Sequence, residues 1–310
     1  MATETLEAPI AVTDEAWEAV EGGWDLQVHV APDVIARRID DLDLAKEFAA
    51  HKLKGFVLKS HYVPTYERAK AVTKASAGTG VTAYGAITLN HSVGGLNPVA
   101  LEIAGRSGNK IVWMPTVDAQ NETAGRAGGT NVKLPFWAEI QRSLSAEGIS
   151  PPPLTVLDDN GKLNDAARAC LERIAKHDMI LATGHLGRKE IFQLVKTAKE
   201  MGLNRVMVTH AEFPSQNLTA DEQLELANMG AMIEHCFTTM YTRKAPWEVY
   251  FDSVRKVGPE RVILSTDLGQ TINPPVAEGF AMFAQKMLEA GFTKAEVRRM
   301  AVTNPENLIS

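Results

Sequence analysis

Histidine, lysine and carboxylate side chains recur in this sequence at the ends of short apolar runs. His29 lies near the end of "WDLQVHV" (24–30), Lys59 and His61 end "GFVLKSH" (55–61), Asn90 and His91 follow "TAYGAITL", and Asp118 ends "KIVWMPTVD" (110–118). Further on, His185 ends "MILATGH" (179–185), His210 lies in "RVMVTHA" (205–211), Glu234 and His235 in "AMIEHCF" (231–237), and Asp267 ends "RVILSTD" (261–267). Six of the eight histidines fall at such ends, and only His51 and His177 lie elsewhere. Imidazole nitrogen and carboxylate oxygen suit zinc first, with manganese, iron and nickel as the other candidates. An ion of that kind makes bound water acidic near neutral pH, and a neighbouring carboxylate can take its proton.

Groups so far apart in sequence can act together only if the runs that carry them are neighbouring strands. Between the runs lie amphipathic segments such as "DLDLAKEFAAHK", "PTYERAKAVTKASA", "RKEIFQLVKTAKEMG" and "LTADEQLELANMG", two of them ending in the glycine that often stops a helix. Eight apolar runs alternating with helical segments predict an α/β chain folded as a (β/α)8 TIM barrel. An open doubly wound sheet would place a glycine-rich phosphate turn after the first strand, where this sequence has "HVAPDV". In such barrels the carboxyl ends of the strands carry the chemistry.

One gap interrupts the rhythm. Residues 119–163 contain "LPFWAEIQRSLS", the run "SPPP" and "LTVLDDNGKL", which reads as two short strands around a turn rich in Asp, Asn and Gly, and they read as an insertion over the barrel mouth between strands 4 and 5. Residues 1–20 predict a leading helix and "TKAEVRRMAVTNPENLI" a closing one, so the whole of 1–310 is expected to form a single domain.

With these residues in place, the sequence resembles the amidohydrolase superfamily. Members carry an Asp-x-His-x-His first strand, single histidines ending strands five and six, and an aspartate ending strand eight, where this chain has "DLQVH", "ATGHLG", "VTHAEF" and "STDLGQ"; "VTNPENLI" is similar to the element that closes many of these barrels. The resemblance implies a metal-dependent hydrolase that directs activated water at an amide, cyclic imide or lactone carbonyl. It also implies His29, His185, His210 and Asp267 as ligands, with Asp267 as the acid/base group. The alternatives within the same resemblance are a mononuclear decarboxylase or lyase, or a barrel that binds a ligand without chemistry.

Two departures stand out. Gln27 occupies the place of the first-strand histidine, and a carboxamide oxygen is a weak neutral ligand. Strand four lacks the bridging carboxylated lysine or glutamate of many members; Asp118 could serve, but Lys59 on a buried strand end is the more interesting candidate, since a desolvated amine can react with carbon dioxide to give a carbamate that bridges two ions. For the substrate we expect His61 or His91 to steady an oxyanion, and Arg188, Asn90 and Gln27 to make contacts.

Composition narrows the rest. A net charge of -6 and a pI near 5.8 give no basic footprint for nucleic acid. No segment has the length to cross a bilayer, no signal-peptide pattern leads the chain, and two cysteines, Cys170 and Cys236, make no disulfide framework. A cytoplasmic protein with a small-molecule substrate is expected, and a homo-oligomer is compatible with the sequence.

Overall fold

The computed structural model describes residues 10–122 and 138–310. Eight strands form one sheet in sequence order: β1 Trp24–Val28, β2 Gly55–Leu58, β3 Thr82–Thr88, β4 Ile111–Trp113, β5 Ile180–Ala182, β6 Val206–Val208, β7 Met232–Cys236 and β8 Val262–Ser265. Every neighbouring pair is parallel. The last strand returns to the first, where Asp267 N–H donates to Gln27 O (2.9 Å) and His29 N–H to Leu268 O (2.7 Å). The expected barrel is therefore the observed fold.

Each strand run is shorter than the sequence predicts: all lose residues at the carboxyl end, and from β4 onward the first residue is lost as well. β4, β5 and β6 keep three residues each, so Asp118, His185 and His210 lie in the loops beyond them. Apolar side chains divide into two layers, as alternation requires. Leu26, Val57, Ile111, Trp113, Ile180 and Ile263 fill the barrel interior, and a larger shell that includes Phe48, Phe56, Leu58 and Leu194 joins the strands to the helices.

β1 is irregular. Its pairing with β2 advances from Asp25↔Phe56 to Val28↔Leu58, so β1 carries one extra residue, a bulge. The buried Asp25 carboxylate holds it: Oδ1 accepts from Gln27 N–H (3.2 Å) and Thr266 N–H (3.0 Å), and Oδ2 from the Thr266 hydroxyl (2.5 Å). Burial pushes the Asp25 carboxyl up to about 7, against the pull of those hydrogen bonds.

The leading helix is Asp14–Val20; residues 1–9 lie outside the described residues. Of the insertion, 123–137 also lies outside them, while a helix spans Ala138–Ala146 and the predicted turn is held by one antiparallel bridge, Leu157↔Leu163, in place of two strands. The closing segment folds as a helix, Asn304–Ile309, whose Leu308 and Ile309 pack on the interior core while Asn304 Nδ2 donates to Val262 O (2.7 Å). Among the described residues no helix is long and apolar enough to cross a membrane.

Candidate functional site

Four imidazoles from four strands line up beyond the strand ends. Ring centroids are 4.9 Å apart for His29 and His61, 5.7 Å for His61 and His185, and 4.9 Å for His185 and His210. The β8 carboxylate joins them, with Asp267 Oδ1 3.1 Å from His29 Nε2. All four histidines are buried. His210 (φ 28°) and Asp267 (φ 53°) adopt left-handed backbone, uncommon for residues with a side chain and a frequent mark of functional positions.

The rings are oriented from behind. His61 Nδ1 meets the Thr116 hydroxyl at 2.8 Å, and His185 Nδ1 meets Glu122 Oε1 at 2.9 Å, a carboxylate that also accepts from Ser215 Oγ (2.7 Å). Engaging one ring nitrogen leaves the other for a ligand or substrate. The buried His210 Nδ1 has no hydrogen-bond partner. Burial, reinforced by neighbouring positive or imidazole groups, holds His61 and His210 well below the usual histidine range, so both rings are neutral.

Lys59 lies in the same interior, its ammonium 5.0 Å from the centroid of the Trp113 ring. Burial lowers its pKa, while the carboxylates of Asp267 and Glu234 work against that fall. Burial also acts to raise Asp267, but His29, Lys59 and His210 outweigh it and hold the carboxyl well below the ordinary range. Asp267 is therefore ionised.

Glu234 behaves oppositely: burial raises it to about 8, and neither carboxyl oxygen makes a well-formed hydrogen bond although the Ser265 hydroxyl is close. A carboxyl whose folded pKa is raised binds its proton more tightly when folded, so its contribution to stability is complete below the unfolded value and is lost as pH rises toward 8. In metal-free protein, Glu234→Gln should therefore gain stability on the parent between about pH 5 and 8, by a few kcal/mol at about 1.4 kcal/mol per pKa unit, and level off above. Equal melting temperatures for the two proteins across that range would refute the ionisation of Glu234.

Other residues with expected roles are engaged elsewhere. Asn90 is committed to bracing the loops: Nδ2 donates to His61 O (2.8 Å) and Thr116 Oγ1 (2.7 Å), and Oδ1 accepts from Thr116 N–H (2.8 Å). His91 faces the insertion through Nε2 and Pro152 O (2.8 Å), and its N–H donates to Asp118 Oδ2 (2.8 Å); Asp118 also accepts from Gln141. His235 points to the outer layer, with Nδ1 2.8 Å from Glu212 and its ring edge-on to Tyr250.

Arg188 borders a groove of about 480 Å³ with Thr155 and Asp158 of the insertion, where it pairs with Glu222 Oε1 (3.1 Å) and donates to Asn217 O. At the start of the helix that carries Arg188, the Gly187 N–H donates to Glu190 Oε2 (2.9 Å), an internal cap. Gln27, in contrast, is fully buried and neither amide atom has a partner, so its carboxamide is available to a ligand.

Two site residues escaped the sequence reading. Glu122 orients His185, and Arg37 lies 3.3 Å from His29 Nδ1, itself fixed by Asp33 at 2.6 Å. The available signal was their place in loops that follow strands one and four.

The donors can be tested against a metal ion. His185, backed by a carboxylate, and His210, with an unpartnered buried nitrogen, have the chemistry of two neutral ligands. Among the described residues no three His, Cys, Asp or Glu side chains form a set that could hold an ion by themselves.

Comparison with solved structures agrees on the fold. An amidohydrolase from Pseudomonas aeruginosa superposes with a TM-score of 0.60 at 9% identity, over 94% of this chain and 97% of that one. A probable dipeptidase from the same organism gives 0.59 at 11% identity, over 95% and 96%. A probable 2-pyrone-4,6-dicarboxylic acid hydrolase from Acinetobacter baumannii, with citric acid bound, gives 0.56 at 13% identity, over 93% and 99%. At these identities the likeness is one of fold. No curated protein matches the sequence. A family of unknown function, DUF6282, matches residues 22–234, more than half of the chain, and this protein belongs to it.

Proposed function

We propose that this protein is a metal-dependent hydrolase that adds water to the carbonyl carbon of an amide, cyclic imide or lactone in a small molecule. The observation that carries the reading is the meeting of imidazoles from β1, β2, β5 and β6 with a carboxylate from β8 at one end of the barrel. The names of structural neighbours, hydrolases of peptide and lactone type, support the class of reaction.

His185 and His210, with Lys59 or its carbamate, would hold the ion. When bound, a divalent cation supplies an acidic water and a polarised carbonyl. Asp267, held ionised, takes a proton from the water as its oxygen bonds to the carbonyl carbon, then returns that proton to the departing nitrogen or oxygen. His61, neutral and aimed by Thr116, steadies the negative charge that grows on the carbonyl oxygen. The unpartnered Gln27 amide offers a donor and an acceptor to the body of the substrate. Burial of the imidazoles, Lys59 and Gln27, beside an Asp267 side chain that is 16% exposed, weakens the screening of these groups by bulk water.

Elemental analysis of freshly purified protein, followed by a screen of small lactones, cyclic imides and amides, tests the reading. His185→Ala should lower metal occupancy at least about tenfold, in line with loss of a ligand. Full turnover by chelator-treated, metal-free protein would end the proposal. The specific feature favouring the lyase reading is Gln27, and release of carbon dioxide from a carboxylated substrate without water addition would replace hydrolysis with it.

A further inference from the structure

The loop after β1 gives His29 a neighbour that decides what the ring can do. Arg37 Nη2 hydrogen-bonds His29 Nδ1 at 3.3 Å. A guanidinium stays charged and has only donors, so Nδ1 must be the acceptor, and a neutral ring then carries its hydrogen on Nε2. That Nε2 is the atom 3.1 Å from Asp267 Oδ1. Both ring nitrogens are therefore in use, one accepting and one donating.

Arg37 is not a chance surface visitor. Its side chain is 4% exposed and that of Asp33 1%, and Asp33 Oδ2 is 2.6 Å from Arg37 Nη2 and 2.8 Å from Nε. A metal ion on Nε2 would have to expel the ring hydrogen while Nδ1 remains under the guanidinium, leaving an imidazolate. The ion would also sit against the buried Arg37 guanidinium, with the neutral Gln27 where a second imidazole is needed. Burial and the Arg37 charge together lower His29 to about 4, so the ring is neutral at working pH.

We infer that the β1–β8 wall of the site is a hydrogen-bond relay, Asp33–Arg37–His29–Asp267, that takes no metal ion, and that His29 is a positioning residue whose Nε2–H fixes Asp267. The relay is a matter of geometry and stands apart from the hydrolase reading, on which only the single ion at His185 and His210 depends. With Oδ1 held by His29, the remaining oxygen of Asp267 is the one left to take a proton from water. Arg37 acts through His29, without touching the reacting atoms.

Two measurements test this. Long-range ¹H–¹⁵N correlation spectra of the metal-free protein, with His29 assigned by its loss in His29→Gln, should show hydrogen on Nε2 and a bare Nδ1; Arg37→Met should leave the hydrogen on Nε2, held by Asp267, while the Nδ1 resonance shifts with the loss of its donor. A wild-type ring with hydrogen on Nδ1 would overturn the relay. Titration of metal-free protein with zinc, read by calorimetry and elemental analysis, should reach one ion per chain, unchanged in His29→Gln. Two ions per chain, or loss of the one ion in His29→Gln, would overturn the inference as well. No ion at all would leave the relay intact and remove the metal from the proposed function, so the two failures are distinguishable. The wild-type spectrum decides the tautomer even if a variant does not fold.

Discussion

Asp267→Asn should lower kcat by about a hundred- to ten-thousandfold, the usual worth of a positioned acid/base group, while metal content falls far less than in His185→Ala. Asparagine nearly matches aspartate in shape, so its carbonyl oxygen can still accept from His29 Nε2–H where Asp267 Oδ1 does now. The other arm becomes an amide that cannot take a proton from water. The left-handed backbone at this position (φ 53°) suits asparagine at least as well as aspartate, so folding should be undisturbed. Kinetics on a substrate found by the screen, with elemental analysis of the same preparation, give the answer. Wild-type turnover in Asp267→Asn would remove Asp267 from the chemistry.

The second large effect concerns folding. Gly269→Ala should lower the melting temperature by about 10 °C or more, or prevent soluble expression, because the loss exceeds the roughly 4 kcal/mol that marks an exceptional substitution. A Cβ on Gly269 would lie 1.5 Å from His29 O and 2.5 Å from His29 C, and its φ of +126° is one that residues with side chains rarely adopt. Neither backbone can retreat easily. His29 N–H is bonded to Leu268 O at 2.7 Å, and Gly269 O accepts from Arg38 N–H at 2.8 Å. Gly202→Ala is the control: φ is +77° but nothing lies within 4 Å, so only the backbone strain of about 1 kcal/mol should appear. Equal melting temperatures for the two variants would show that the close approach at His29 carries no weight.

The barrel was legible because eight apolar runs with helical segments between them have few other ways to bury themselves. Strand ends were less so. In "KIVWMPTVD" and "MILATGH" the strands stop at Trp113 and Ala182, shortly before Pro115, which has no N–H to give, and Gly184, whose φ of 62° leaves the extended region. The clustering of His29, His61, His185, His210 and Asp267 followed from their common place at those ends. Which loop residues would join them did not, since that depends on how loops of irregular backbone fold over one another. Arg188 and Arg37 are both arginines shortly after a site histidine, yet one is 46% exposed at its side chain and paired with Glu222, and the other is 4% exposed against His29. His235 and Glu234 are neighbours in one strand, and the twofold alternation sends them to opposite faces; knowing which face is inward required the register of β7 with β8, where Glu234 pairs with Ile263 of the interior core.

The two hydrogen bonds that join the first stave to the last run from Asp267 to Gln27 and from His29 to Leu268. The reactive groups and the fastening of the ring are thus the same short stretch of backbone. A junction between such distant parts of the chain carries the loop-closure cost of a non-local pairing, and any small molecule that settles across it in the folded state acts as a clasp on the whole cylinder, lending stability that grows with the logarithm of its concentration over its dissociation constant.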